Sequence, residues 1–553
     1  MRKFYRLLGG LAVAGALAGC DDPLNVENEN NPGIDNVTGR PSDLETLIAN
    51  SWAIAFQATH GANGSLYPAF LVLGLESYSG NSNFCMATRG AIPRNQIDNA
   101  RGNQCLGENY RDYQFGHRAA RVAAIGINTL NREGYTLGSE PQNQRARAFA
   151  RFVMGVSLGR IAMAYDSGIA VSENDDVEAV LPMVGYEALG EYALAMIDSA
   201  IAIAGDPTII GTETFPATWL NIVGVTTPAN FIRLARSYKA QIRASLARTP
   251  SERAAVDWAE VIDDATNGIT ANYVIEADPN RGWSVAWPIQ HYLFQSWHQA
   301  WQFVVGMADV SGAYQTWLLT NDNDKVPFLI TTPDRRFPAG ASRTAQTTAS
   351  VAPSISTASD NSGIYWRNRP PGSDVLTSNT LANSYYDFIR FQAFHSPALR
   401  VGVFPLMTRA EIDLLAAEGY IRNGDFAEAA VLIDRTRVAR GLPSVAGLTA
   451  GQPVPGGSSC VPRIPIPSGT RTWSGTACGD IFEAMKWEYR METAFTGYGM
   501  WYFAGRGWGD LPEGTPIHFP VPYQEMDVRA EQPFYNFGGV GGTDAAPVGT
   551  YGL

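Results

Sequence analysis

The densest group of side chains able to hold a ligand lies between Trp283 and Phe303. There Trp283, Trp287, Tyr292, Phe294, Trp297 and Trp301 are interleaved with Gln290, His291, Gln295, His298 and Gln302. Flat aromatic rings offer a sugar apolar area and a polarised face, and neighbouring polar groups can hydrogen-bond its hydroxyls. Trp297 and Trp301 are four residues apart, so on a helix they share a face, and that face can equally well pack into a core. Trp283 and Trp287 sit among Gly, Ser and Pro and lean toward exposure. Tyr365-Trp366-Arg367-Asn368, after a Ser/Thr-rich loop, is a second candidate; Tyr78 with Asn81 to Phe84, beside Cys85, is a third. The expected ligand contacts are Trp283, Trp287, Tyr292, Trp297, Tyr365 and Trp366.

Covalent chemistry finds less support. Glu488 and Glu492 lie one helical turn apart. Glycosidase carboxylates flank the scissile bond at about 5–9 Å, and adjacent turns of one helix do not straddle a sugar. Ion pairing with Arg490 or another arginine is the expected role. Of the six histidines, none forms His-Glu-x-x-His, and no Gly-x-Ser-x-Gly elbow occurs. Gly505 to Gly509 lacks the strand-then-helix setting of a phosphate loop. Asn321 to Asp324 lacks the Gly and the distal Glu of an EF-hand. We expect no catalytic residue, no metal and no cofactor.

Beyond Cys20, the cysteines fall into two local pairs, Cys85 with Cys105 and Cys460 with Cys478. Four cysteines allow three connectivities. Local pairing is expected, because each closes a loop of about 20 residues that a disulfide would stabilise by roughly 3 kcal/mol. Zinc is the alternative, but no Cys-x-x-Cys exists and no His lies near either pair.

The elements that must position these groups are mostly helices. Apolar periodicity predicts helices over 43–59, 110–130, 142–165, 185–203, 228–247, 252–267, 408–440 and 479–501. From about 272 to 386 the pattern is irregular, rich in Gly, Ser, Thr, Asn and aromatics, with one helix expected near 289–301. The clearest unit is Leu406 to Pro443. A helix ends at Asn423-Gly424, where Gly suits the left-handed position. Asp425 is placed to cap a second helix, with Glu428 completing a capping-box-like pair. Ala416, Ala417 and Gly419 stand where the two helices would cross. The length is near that of a tetratricopeptide repeat.

The N-terminus supplies an address. Arg2, Lys3 and Arg6 precede an apolar run from Leu7 to Ala18, then Gly19 and Cys20. About twelve residues are too few to span a bilayer, and the segment reads as a secretory leader. Leu17-Ala18-Gly19-Cys20 resembles a bacterial lipoprotein signal, which implies cleavage before Cys20 and acylation of its sulfur. Residues 20–38 are polar and read as a flexible tether. Without the leader's three cations, 38 basic residues face 53 acidic ones, a net charge of −15. Such a surface does not bind nucleic acid by general electrostatics.

Three segments are similar to the SusD/RagB family of nutrient-binding outer-membrane lipoproteins. Arg145-Ala146-Arg147-Ala148-Phe149, running to Gly159, Ala162 and Tyr165-Asp166, looks like the family's small-residue helix. Glu411 to Pro443 looks like its helical hairpin. Glu488, Arg490, Glu492, Phe495, Gly497, Arg506 and Gly509, then Phe519-Pro520-Val521-Pro522-Tyr523-Gln524-Glu525, follow its Glu/Arg-rich helix and Pro-rich segment. Thr496, Gly499 and Tyr502 depart from the pattern. The resemblance implies a mostly α fold: a tetratricopeptide-like helical-repeat scaffold (39–271 and 401–510) carrying a large irregular, loop-rich ligand lobe (272–400). It implies a non-enzymatic protein that binds an oligosaccharide or peptide and serves a SusC-like TonB-dependent outer-membrane transporter. Asp21, directly after the lipid cysteine, retains lipoproteins at the inner membrane in some bacteria; in this family acidic residues there accompany export, so the cell surface is expected. Two rival readings are a tetratricopeptide-type lipoprotein that binds only proteins and a glycoside hydrolase.

Overall fold

A computed structural model describes residues 38–553 apart from 61–64, 81–84, 104, 177–178, 225, 286–298, 354–362, 396–397 and 532–533. The leader, Cys20 and the tether up to residue 37 therefore lie outside the described residues, as do Trp287, Tyr292 and Trp297.

The scaffold is a string of helices in which each packs on the next. Its members are α1 (Pro41–Thr59), α2 (Leu106–Leu130), α3 (Glu140–Ala164), α4 (Tyr186–Gly205), α5 (Pro228–Ser245), α6 (Trp258–Thr266), α7 (Arg409–Asn423) and α8 (Phe426–Arg437). Local chemistry starts them. Ser139, Thr227 and Thr408 accept hydrogen bonds from backbone N–H groups three residues on, at the heads of α3, α5 and α7. Small residues let them approach. A Cβ on Gly155 of α3 would lie 2.5 Å from Ile197 Cγ1 and 2.7 Å from the Ala193 carbonyl oxygen, both on α4. α4 is long and apolar enough to cross a membrane by composition. Its Leu189, Ala193, Ile197 and Ala200 are nonetheless buried, and it packs between α3 and α5.

The irregular segment is an insertion with joined ends. β1 (Tyr273–Ala277) pairs antiparallel with β4 (Gly402–Met407), so the chain leaves and re-enters the scaffold at one place. Within the insertion, β2 (Trp366–Asn368) pairs with β3 (Tyr386–Phe388). A later hairpin, β5 (Arg463–Gly469) with β6 (Thr472–Cys478), precedes α9 (Ile481–Thr493) and α10 (Met500–Trp508). Rings from insertion and scaffold share one core: Phe388 stacks on Phe495 at 4.6 Å, and Phe337 on Trp487 at 6.4 Å. The fold is the expected one, a mostly α, tetratricopeptide-like scaffold with a loop-rich lobe.

Details differ. The span 252–267 divides into a short helix, Pro250–Ala254, and α6. The span 479–501 breaks into α9 and α10 at a turn where Phe495, Gly497 and Gly499 all take positive φ. Asp425 makes no side-chain cap. Gly419 meets Ile262 and Trp258 of α6, so it serves the contact with the preceding helix. Of the helix expected at 289–301, residues 299–301 are described and are not helical. Gln299 pairs with Tyr78 as an isolated bridge, and the Ala300 N–H donates to the Tyr386 carbonyl.

Candidate ligand platform

Trp283 is the one expected ligand contact that keeps an open side among the described residues. A tight loop presents it. Asp278 caps the turn Pro279–Arg281, Gly282 supplies φ 82°, and Asp278 and Trp283 exchange backbone hydrogen bonds of 3.0 Å. A left-handed φ of this kind suits Gly because it has no Cβ. The indole is partly buried against Phe56 of α1, ring centroids 4.8 Å apart. Polar groups continue away from it. The Gln57 amide nitrogen donates to the Gly282 carbonyl at 3.5 Å, and Arg111 Nε donates to the Gln57 carbonyl at 3.4 Å. The Arg111 guanidinium lies over the Phe115 ring at 4.5 Å, with that of Arg118 on the same ring at 5.8 Å. Positions 111, 115 and 118 recur at helical spacing along α2 and are half-buried or exposed. The result is a shallow strip of rings, amide and guanidinium donors, suited to a neutral or anionic polyhydroxylated ligand.

Tyr365 and Trp366 correct the expectation made for them: both are fully buried. The cause is strand pairing. β2 faces inward, Trp366 lies 5.0 Å from Phe388 and 6.2 Å from Phe337, and the Tyr365 hydroxyl donates to Glu492 at 2.9 Å. Arg440 Nη2 in turn donates to that hydroxyl at 2.6 Å. Tyr78 is also buried, packed on Trp301 with its hydroxyl 3.0 Å from Thr377 Oγ1. Asn81 to Phe84 lie outside the described residues.

Glu488 and Glu492 are both fully buried on α9, and their partner is Arg336 of the insertion. Arg490 instead donates to Asp510, which Lys486 also holds at 3.1 Å. Burial by itself would lift the Asp334 carboxyl, but the adjoining Arg336 guanidinium overrides it and holds Asp334 below the usual carboxylate range. These carboxylates are committed to charge pairing inside the core and have no access to substrate. Among the described residues no group of three or more His, Cys, Asp or Glu could hold a metal ion.

Cys85 is joined to Cys105 and Cys460 to Cys478. The first bridge closes the loop that leads into α2. The second ties the base of the β5–β6 hairpin, whose Trp473 Nε1 donates to the Tyr551 carbonyl at 2.7 Å.

No family model matches the sequence, and no curated protein matches it. Solved structures do. A SusD-like protein from Bacteroides fragilis NCTC 9343 superposes with a TM-score of 0.51 at 11% identity, covering 93% of each chain. A SusD-like carbohydrate binding protein from the same strain gives 0.47 at 12% identity, covering 92% of this chain and 95% of that one. A laminarin binding SusD-like protein gives 0.46 at 11%, covering 88% and 97%. The first superposition shows that this chain has the SusD-like fold.

Proposed function

We propose that the protein captures an oligosaccharide outside the cell and delivers it to a SusC-like TonB-dependent outer-membrane transporter, tethered to the outer membrane by lipid on Cys20. The carrying observation is the SusD-like fold, matched over 93% of the chain, in a sequence that also bears the Leu17-Ala18-Gly19-Cys20 signal and the three family-like segments. The half-open Trp283 platform, with Gln57 and Arg111 beside it, supports a sugar as the ligand; a peptide is the competing ligand of the same reading.

Binding proceeds without covalent change to the ligand. The burial of Glu488 and Glu492 supports this, since the carboxylate pair best spaced to attract suspicion is bound to Arg336. Membrane fractionation, surface labelling and affinity purification from detergent-solubilised envelopes test the reading. The protein is expected at the cell surface together with a large outer-membrane barrel. Absence of any such barrel would overturn the delivery step, and release of reducing ends from a glycan panel would overturn the non-catalytic reading.

A further inference from the structure

The segment after Pro522 and the first turns of α2 build a second aromatic corner that none of the expected contacts includes. Tyr523 and Phe534 meet edge to face, ring centroids 5.9 Å apart. Arg101 lies over the Phe534 ring at 5.3 Å and is fixed there by Asp527, to which its Nε donates at 2.9 Å. Tyr110, on α2, is close enough for Tyr523 and Glu525 to act on its phenol, and all three aromatic residues are half-buried.

The corner is rigidly mounted. The Tyr523 N–H donates to Asn99 Oδ1 at 3.2 Å, and fully buried Asn99 donates to the Val521 carbonyl at 2.9 Å. The Asn99 N–H donates to Asn536 at 2.8 Å, which ties the strand of chain carrying Phe534 to the same post. Asn99 and Arg101 belong to the stretch between the Cys85 and Cys105 ends of the first disulfide. The same 95–103 stretch contributes Asn95, Gln96, Asp98 and Asn103 to the lining of a cavity of about 220 Å³, with Arg89 and Thr88.

Two features point to a ligand. Tyr110 and Tyr523 are both partly exposed, which leaves their side chains within reach of a ligand, whereas the neighbouring Tyr535 hydroxyl is bonded to Asp166 at 2.8 Å. Like any phenol, that of Tyr110 is protonated at neutral pH and can donate as well as accept. The rings, meanwhile, form an L-shaped, partly exposed corner, and the 95–103 stretch mounting it carries amides and a carboxylate of a kind that reads sugar hydroxyls.

We propose that Tyr110, Tyr523 and Phe534, with the 95–103 loop, form a second glycan subsite on the α2 side of the molecule. It rests on the glycan reading given above and extends it. A ring of the glycan stacks in the Tyr523–Phe534 corner, the two phenols bond adjacent hydroxyls, and the amide-lined cavity takes a side substituent or the next residue. Arg111 and Phe115 of the Trp283 platform lie on the same helix as Tyr110, which gives one chain a path to engage both.

Affinity electrophoresis of the mature protein through gels holding laminarin, yeast mannan, xylan, pullulan or pectin tests this. For whichever polysaccharide retards the wild type, Tyr523→Ala should weaken binding by about tenfold, the loss of one stacking contact with its hydrogen bond. Tyr110→Phe/Tyr523→Phe keeps both rings, is safe for folding, and should weaken it by about threefold, the two hydroxyl bonds alone. Unchanged binding in both variants, with Trp283→Ala impaired, overturns the second subsite and leaves the glycan reading standing. No retardation of the wild type by any of the five overturns both.

Discussion

Arg336 and Glu488 are 152 residues apart in sequence and joined by two hydrogen bonds, Nη1 to Oε2 at 2.9 Å and Nη2 to Oε1 at 3.0 Å. The same guanidinium meets Asp334 and Glu492, and Trp487 Nε1 donates to Asp334 at 3.0 Å. Removing one member of a buried charge cluster leaves its partners unpaired, which costs about 3–5 kcal/mol. Arg336→Ala should therefore lower the unfolding midpoint in urea severely. Arg435→Ala removes a side chain that is 44% exposed and leaves Asp413 paired with Arg409, so it should cost under about 1 kcal/mol. Equal losses in the two variants would show that the Arg336 cluster is not a structural lock.

The turn between α9 and α10 predicts a pH signature. Its Phe495 N–H donates to Glu76, a carboxyl that burial pushes up to about 8 from an ordinary 4.5. A folded-state value above the unfolded one means that stability is fully present below about pH 4.5 and is lost as pH rises toward 8. Glu76→Gln removes that titration, so the variant should gain on the wild type steadily between pH 5 and pH 8.5. Thermal melting across that range checks it, and parallel curves would sink the assignment.

Acid should bring the opposite loss. Burial holds His60 down at about 3 and His117 at about 4, both below an ordinary 6.5. Each stays neutral when folded, so its contribution is present above pH 6.5 and fades as pH falls toward those values. Replacing His117 by Gln, which can still serve the Ile169 N–H now bonded to its ring at 2.9 Å, should flatten the acid limb of the melting curve.

Close approach of α3 and α4 makes Gly155 sensitive to a single methyl group. Gly155→Ala should cost about 1–3 kcal/mol through overpacking against Ile197 and Ala193. Gly102→Ala, where a Cβ meets nothing within 4 Å, should be silent in the same denaturation assay.

Two tryptophans separate binding from folding. Trp283→Ala should weaken glycan retention at a smaller cost in melting temperature than Trp366→Ala, because Trp283 is only partly buried and Trp366 fully so. Trp366→Ala should destabilise by about 3–5 kcal/mol, with affinity unaltered in whatever fraction stays folded. If Trp366→Ala abolished binding in a fully folded protein, the platform would have to be redrawn.

Helices were legible wherever one face recurred at the helical period, as in α4 and α5, because burial of that face is written into each residue. The insertion was not. Tyr365 and Trp366 sit beside a Ser/Thr-rich stretch, and local composition favours exposure; only pairing with residues 386–388 turns them inward, and a short strand of that kind carries no period to read. Arg336 was equally silent, since nothing near residue 336 announces carboxylates 152 positions away. Tyr523 stands in a Pro-rich segment that is legible in sequence, yet its partner Phe534 lies eleven residues on and its neighbour Tyr110 on a distant helix, so the corner exists only once the fold does.

The Arg336 lock has a mechanical meaning. It lies in the insertion, its carboxylate partners Glu488 and Glu492 lie in a scaffold helix, and the ends of the insertion are zipped by β1 and β4. A pull applied to the loop-rich face is thus carried straight into the helices, with no slack between the two. The described body should respond to load as one stiff block, and under a stretching force the insertion should hold until the scaffold itself gives way.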